Sequence, residues 1–241
     1  MFAATGYRMD APTVFTVGPV EVTTTVVVTW GVLVGLAVLA LVVRDRLDPK
    51  RPGALQIGCE ALVTWLDNEI RNIIGRRPDR YFPFIATIFV FILVGNLVAS
   101  LPFVKAPTAD LSTTVALAVI VAVSVPVYGI AAKGVIGYLR VYVSPTPFML
   151  PLNIIGEATR TVALAIRLFA NIMSGGLIVA VLVGFVPIIL PTAMELLGLI
   201  TALVQAYVFP VLAMVYIGGA VRLEEKREQQ RVQREHAEKE A

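Results

Sequence analysis

Residues 165–184, AIRLFANIMSGGLIVAVLVG, are apolar enough to cross a lipid bilayer, yet they include Arg167 close to their start. About 20 residues of helix match the hydrocarbon thickness of a membrane. Arginine stays protonated in proteins, so Arg167 cannot avoid the cost of burial by losing its charge. The stretch therefore predicts a membrane helix whose charged position faces water, a carboxylate or a partner.

Composition places the rest of the chain in the same environment. Of the 241 residues, 57% are hydrophobic and 15% are charged, whereas soluble domains have about 25% charged residues. Residues 222–241 contain six Lys or Arg and six Asp or Glu, so the part before them is still more apolar. We interpret residues 1–221 as a single membrane domain and residues 222–241 as a charged cytoplasmic tail that extends the last helix.

Long apolar runs predict an all-α membrane protein with about five crossing helices. Residues 1–24, which include Pro12 and Pro19, are expected to form an irregular lead-in. The connection between the third and fourth spans contains several prolines and is not expected to be one helix. The predicted spans are residues 25–43, 81–101, 111–132, 154–186 and 193–221.

Residues 54–74 follow a different pattern. Their apolar residues recur every three or four positions, and polar or charged residues fill the other side. This spacing predicts an amphipathic helix that is too polar to span a bilayer. We interpret it as an interfacial helix on the membrane surface. The alternative is a helix that packs on a protein core.

The distribution of Lys and Arg predicts the orientation of the spans. The segments 44–51, 71–80 and 133–140 are basic, whereas the loops 102–110 and 187–192 are poor in Lys and Arg. Cytoplasmic loops carry the excess of positive charge. With five crossings, this rule places the N-terminus outside and the C-terminus in the cytoplasm.

Several kinds of site are excluded by residue usage. Cys59 is the only cysteine, and His236, in the charged tail, is the only histidine. The sequence therefore offers no disulfide framework and no Cys or His metal centre. It also has no GxxxxGK[ST] loop for nucleotide phosphates and no basic-aromatic patch for nucleic acid. We expect no cofactor, no metal and no nucleic-acid partner.

The final two spans contain few polar groups. Between Thr161 and Val221 the only charged residues are Arg167 and Glu195. Asn171 lies one turn after Arg167 on the same helix face. Each position has a structural alternative: Arg167 as an anchor that reaches the lipid interface, Glu195 as an outward-facing helix end, and Asn171 or Gln205 as helix-packing groups.

Four motifs follow one another along the chain. They are GNLVASLPF with APTADLSTTVALA (within 95–118), PLNIIGEATR (151–160), RLFANIMSGG (167–176) and VQAYVFPVLAMVYI (204–217). In this order they resemble subunit a of bacterial F-type ATP synthases. The resemblance covers about residues 80–218, and the combination of an Arg-Leu-Phe-x-Asn motif with a downstream Gln-Ala-Tyr-Val-Phe is highly specific.

The resemblance implies a non-catalytic, ion-translocating stator subunit in a bacterial inner membrane. Its final two helices would be long, tilted and packed against a ring of c subunits. Two aqueous half-channels would meet that ring, and the arginine between them, which corresponds to Arg167, would pass protons or Na+ to and from the ring carboxylates. The implied partners are the c ring, b subunits and the soluble ATP-synthesising head. An independent secondary transporter with Arg167 in its substrate site remains the alternative.

Further residues correspond to the family pattern by motif position. Asn171 and Gln205 match polar positions that assist the arginine, and Glu157 matches an acidic position at the cytoplasmic half-channel. Glu157 also lies three residues before Arg160 and is expected to pair with it.

The sequence departs from the family pattern on the outer side. The family often has Glu at the position of Gly176 and Glu or His at the position of Gly198. Glu195 lies three residues before Gly198, on nearly the same helix face. We therefore hypothesise that Glu195 is the ion relay of the outer half-channel. These departures leave the coupling ion, H+ or Na+, open.

Overall fold

Six α-helices, preceded by two short strands, form the part of the chain that the computed structural model describes, which is residues 13–17, 20–45, 53–75, 78–99, 107–143, 149–184 and 189–240. The elements are β1 Thr13–Val17, β2 Val20–Thr23, α1 Thr24–Asp45, α2 Ala54–Ile74, α3 Pro78–Ala99, a 3-10 turn Pro107–Ala109, α4 Leu111–Val143, α5 Met149–Leu182 and α6 Ile189–Glu240.

Five of these helices are long and apolar enough to cross a membrane by length and composition. The candidate spans are Thr24–Asp45, Asp79–Val98, Leu111–Ala132, Leu150–Val179 and Thr192–Val221. The prediction of an all-α membrane protein with about five spans and one further amphipathic helix is therefore confirmed. Residues 1–12 of the predicted lead-in lie outside the described residues, and so do the loop residues 46–52, 100–106 and 185–188.

The expectation of an irregular lead-in is wrong for residues 13–23. β1 and β2 pair antiparallel, with Thr13 opposite Thr23 and Val17 opposite Val20. Both strands consist mainly of Val and Thr, which are β-branched and favour extended backbone. The two runs flank the dipeptide Gly18-Pro19, so the hairpin signal was present but short.

Three helices extend beyond their predicted spans. α4 continues from residue 132 to Val143, with a break in helical geometry at Gly134, whose φ is 73°. α5 begins at Met149, and Pro151 is tolerated there because the first helical turn needs no backbone donor. α6 runs without interruption to Glu240, so the C-terminal extension, residues 222–240, is helical.

The core lies where α3, α4, α5 and α6 meet. Its centre contains Ile92 of α3, Val121 of α4, Leu168 of α5 and Phe209 of α6, none of which is more than 1% exposed. α1 is peripheral, since large apolar side chains such as Trp30 are exposed along it. Lipid tails are as apolar as leucine, so an exposed apolar exterior is what a membrane bundle requires.

The amphipathic helix α2 packs on α3 and α6 along its C-terminal half. Leu66, Ile70 and Ile74 are buried there. A Cβ atom on Gly218 of α6 would lie 3.5 Å from the carbonyl oxygen of Ile73, so the two helices approach closely at this point. In the N-terminal half, apolar side chains such as Ile57 are exposed. α2 thus combines protein packing with an apolar surface for lipid.

A buried polar network ties α3 to α6. The Asn96 Nδ2 atom donates to the backbone carbonyl of Ala202 at 2.9 Å, and the Thr108 hydroxyl donates to Asn96 Oδ1 at 3.0 Å. Asn96 and Thr108 are at most 1% exposed. Because water cannot satisfy these groups, their mutual hydrogen bonds determine how α3, the 3-10 turn and α6 meet.

A carboxylate joins α1 to the start of α4. Asp110 Oδ1 accepts a hydrogen bond from the Ser112 backbone N–H at 3.0 Å, which is the N-cap arrangement for a helix beginning at residue 111. Asp110 Oδ2 accepts from the Thr25 hydroxyl at 2.8 Å. One side chain therefore caps α4 and holds the otherwise peripheral α1 against it.

Replacing Asn96 with leucine should destabilise the bundle, since the change keeps the branched shape of the side chain but leaves the Thr108 hydroxyl without its acceptor. We expect a loss of about 1–3 kcal/mol, the cost of an unsatisfied buried group, measured as a lower thermal transition in detergent. The control is Leu97→Ala, at the neighbouring position with 45% of its surface exposed. Equal transitions for the two variants would contradict a structural role for the network.

Candidate functional site

The outer face of α5 carries Arg167 and two further polar residues. Arg160, Arg167 and Ser174 are all exposed, and successive members are two helical turns, or about 10.5 Å, apart. Leu164 and Leu168 are buried in the bundle. The seven-residue spacing puts the three polar residues on one face of α5, and their exposure shows that this face is turned out of the bundle.

Arg167 makes no ion pair within the part of the chain that the structure describes. It lies within a candidate span, Leu150–Val179, and a cation facing lipid at such a position costs several kcal/mol. Its stability in a membrane therefore requires water or an anionic group from another chain. This requirement distinguishes Arg167 from the apolar side chains around it.

Arg160 has an aromatic partner on α6. Its guanidinium carbon lies 5.4 Å from the centroid of the Tyr216 ring, within the range of a cation–π interaction. The contact joins the N-terminal part of α5 to the C-terminal part of the candidate span Thr192–Val221 in α6. The pairing of Arg160 with Glu157, which is half-buried, remains a prediction.

Gln205 presents an unused hydrogen-bond donor. The side chain is 7% exposed, and its Nε2 atom is buried without a hydrogen-bond partner among the described residues. Gln205 and Tyr216 are 11 residues apart, which is close to three full turns, so they share one side of α6. Because Tyr216 meets Arg160 there, this is the side that faces α5.

Asn171 lies between the exposed and buried sides of α5. It is half-buried, and its backbone carbonyl accepts a hydrogen bond from the Ser174 hydroxyl at 3.3 Å. No hydrogen bond joins Arg167, Asn171 and Gln205 to one another in the described part of the chain. The structure therefore brings α5 and α6 together but leaves these three groups without hydrogen bonds to one another, with Arg167 exposed and the Gln205 Nε2 atom buried.

Glu195 continues the buried stripe of α6 towards its N-terminus. Ala202 and Ala206 are buried, and Glu195 precedes them by two and about three helical turns, so the three share a face. Glu195 itself is exposed. Nothing lies within 4 Å of where a Cβ atom on Gly198 would stand, so there is open space one turn from the carboxylate.

One contact near this site could not be predicted from the sequence. The Tyr207 hydroxyl donates to Glu69 Oε1 of α2 at 3.0 Å. The Trp65 ring lies 5.6 Å from both the Tyr207 and the Phe89 rings, measured between centroids. Glu69 and Tyr207 are 138 positions apart, and helical periodicity carries no information about contacts at that separation.

Comparison with known proteins identifies the family to which α5 and α6 belong. A family model described as ATP synthase A chain matches residues 25–218. The chain belongs to this family. The match includes all five candidate spans except the first residue of the first span and the last three residues of the fifth, and it ends before the C-terminal extension. The resemblance to subunit a of ATP synthases is thereby confirmed.

Several proteins named ATP synthase subunit a are similar to this chain over most of its length. ATP synthase subunit a 2 of Picosynechococcus sp. is 45% identical over 215 residues, which cover 87% of this chain and 90% of the relative. ATP synthase subunit a 1 of Chlorobaculum parvum is 45% identical over 210 residues, with 87% and 93% covered. ATP synthase subunit a 2 of Pelobacter propionicus is 45% identical over 218 residues, with 88% and 93% covered.

Loss of the contact between Arg160 and Tyr216 should loosen the pairing of α5 with α6. We expect Tyr216→Leu to lower the free energy of unfolding by about 0.5–1 kcal/mol, whereas Tyr216→Phe keeps the aromatic face and most of the interaction. Equilibrium unfolding in mixed micelles measures both variants. In an Arg160→Leu background the two substitutions should differ less, and an unchanged difference would refute the cation–π contact.

Proposed function

We propose that this chain is the ion-translocating stator subunit of a rotary F-type ATP synthase. In this proposal Arg167 passes protons or Na+ to and from the carboxylates of a c-subunit ring. The observation that carries it is the exposed, unpaired position of Arg167 within a candidate span of a chain that belongs to the ATP synthase A chain family. A passing carboxylate supplies the anionic partner that the arginine lacks.

Electrostatics explains how a fixed cation releases an ion from such a carboxylate. Two unit charges 4 Å apart attract by about 4 kcal/mol at an effective dielectric constant of 20. Near Arg167 the ionised carboxylate is therefore favoured, whereas in lipid its desolvation favours the neutral form. The attraction biases ion occupancy and still allows the ring to move on.

The amides of Gln205 and Asn171, beside Arg167, can form hydrogen bonds with a passing carboxylate or with water. The unused Nε2 donor of Gln205 is available to a ring carboxylate or to water on the side of α6 that faces α5. Asn171, one turn after Arg167, supplies a second amide. Leaving a buried donor unsatisfied costs about 1–3 kcal/mol, so binding of an acceptor at Gln205 recovers energy that the isolated subunit lacks.

Two carboxylates lie on either side of Arg167 and Gln205 along the helix pair. Glu157 precedes Arg167 by ten residues on α5, and Glu195 precedes Gln205 by ten residues on α6, about 15 Å in each case. Since the Arg160–Tyr216 contact shows α5 and α6 running in opposite directions, the carboxylates lie towards opposite ends of the pair. We assign Glu157 to the cytoplasmic half-channel and Glu195 to the outer one.

The orientation and partners follow from the same proposal. The basic segments between spans place the N-terminus outside and the C-terminal extension in the cytoplasm of a bacterium. The outer faces of α5 and α6 meet the c ring in tilted orientation, and b subunits connect the chain to the soluble head. That head performs the nucleotide chemistry, so this subunit is not an enzyme by itself.

Arg167→Ala should abolish ATP-driven ion uptake by inverted membrane vesicles that contain the whole complex, because no other group can attract the ring carboxylates at this place. The matched control is Arg160→Ala, on the same face two turns away, which should retain most of the uptake. Assembly of the complex is checked by co-purification of c and b subunits with the head.

The same vesicles identify the coupling ion when uptake is measured with and without Na+. Acidification that is independent of Na+ indicates H+ as the coupling ion, and 22Na+ accumulation indicates Na+. Wild-type pumping by Arg167→Ala in a fully assembled complex would refute the proposed role and favour an interfacial anchor.

Glu195→Gln should slow ion-driven ATP synthesis by about tenfold or more, a loss of roughly 1.4 kcal/mol or more of transfer free energy, because the amide cannot carry a proton or an ionic charge. Introducing Gly198→Glu into this variant should restore activity, since open space surrounds an added Cβ there. Full activity of Glu195→Gln alone would show that the outer path does not use this carboxylate.

A further inference from the structure

α2 contacts one side of α6 through one hydrogen bond and one cluster of aromatic rings. We call this side the back of α6. The Tyr207 hydroxyl donates to Glu69 Oε1 at 3.0 Å. Trp65, one turn before Glu69, lies between Tyr207 of α6 and Phe89 of α3, with 5.6 Å between centroids in both directions. Trp65 of α2 therefore contacts both α3 and α6, and Tyr207 is held by α2 through both Trp65 and Glu69.

Tyr207 and Gln205 leave α6 in nearly opposite directions. They are two residues apart, which corresponds to about 200° around the helix axis. Gln205 shares the side of α6 on which Tyr216 meets Arg160 of α5. α2 therefore holds the side of α6 opposite to the one that carries the unused amide.

We propose that Glu69 and Tyr207 form a positioning pair for ion translocation. By holding the back of α6, the pair sets the rotation of this helix about its own axis, and with it the place of the Gln205 amide relative to Arg167. The inference rests on the proposed function. A helix with its side chains has a radius of about 5–6 Å, so a 20° rotation moves a side-chain end by about 2 Å.

The other contacts between α2 and α6 are less suited to this task. Where Gly218 meets Ile73 and Ile74, a Cβ atom would find ordinary van der Waals neighbours at 3.5–3.8 Å. Such a contact limits the distance between two helices but allows one to roll on the other. A hydrogen bond weakens steeply when its angle changes, and one to a carboxylate is stronger than a neutral one.

The position of the pair also makes it testable. Tyr207 is 39% exposed and Glu69 is half-buried, so they lie at the edge of the bundle and not in its core. Removing the hydroxyl in Tyr207→Phe keeps the ring that packs on Trp65. Substitutions here change a directional contact with little change in buried apolar area, so the complex is expected to assemble.

The experiment compares Tyr207→Phe, Glu69→Leu and Glu69→Gln in vesicles that contain the whole complex. The measured quantity is ions pumped per ATP hydrolysed. Tyr207→Phe and Glu69→Leu should each lower this ratio by about three- to tenfold, the range that loss of one net hydrogen bond produces. Glu69→Gln should stay close to wild type, because the amide oxygen still accepts from the hydroxyl.

The double variant Tyr207→Phe with Glu69→Leu should be no worse than either single variant, since both remove the same bond. The matched control is Glu60→Leu on the same helix, where the side chain is exposed and its carboxylate accepts from Gln56, also of α2, at 2.8 Å. This control should pump normally at an equal amount of assembled complex.

Three results would overturn the inference. A normal ratio for Tyr207→Phe would show that the hydroxyl positions nothing. Equal impairment of Glu69→Gln and Glu69→Leu would show that the charge matters and not the hydrogen bond, as in an ion relay. Losses that simply add in the double variant would show two independent effects. Arg167→Ala in the same preparation tests the proposed function separately: its normal pumping would refute that function, whatever the α2 variants do.

Discussion

The constraint on which this structure depends is the cost of polar groups in lipid. The backbone of each span satisfies its own hydrogen bonds as helix, and the buried side chains Asn96 and Thr108 satisfy each other. The exposed Arg167 and the buried Nε2 atom of Gln205 find no partner among the described residues. A membrane bundle that leaves these groups open is incomplete by itself. The missing partner is what the proposed rotor supplies.

The arrangement of the helices separates the polar groups that are satisfied within the bundle from those that are left open. α5 and α6 pack against α3 and α4 in the core, so that the exposed face of α5 that carries Arg167 need not provide the stability of the fold. Asp110 holds α1 to the start of α4, and Glu69 of α2 holds α6 at Tyr207. These hydrogen bonds join helices to one another, whereas Arg167 is left on the face where the proposed rotor would bind.

Local patterns allowed much of this to be predicted. The predicted amphipathic helix, residues 54–74, has the observed bounds because its periodicity is strong and because Gly75, with φ of 94°, ends it. The five spans follow from apolar length alone. The hairpin of β1 and β2 was missed because strands of four or five residues give a weak signal. The Glu69–Tyr207 contact could not be predicted, since no local pattern relates two helices so far apart in sequence. The roles of Arg167, Asn171, Gln205, Glu195 and Glu157 remain predictions.

The unbroken course of α6 has a mechanical consequence. Its 52 residues make a helix about 78 Å long, in which the candidate span Thr192–Val221 continues directly into residues 222–240. Pro210 lies inside this helix, and proline lacks the N–H group that would bond the carbonyl four residues earlier. In the proposed stator, α6 would carry torque, and a loaded helix bends most easily where such a hydrogen bond is missing. Because Pro210 is five residues from Gln205, force on the C-terminal extension would reach the proposed ion-transfer centre as a small change of angle.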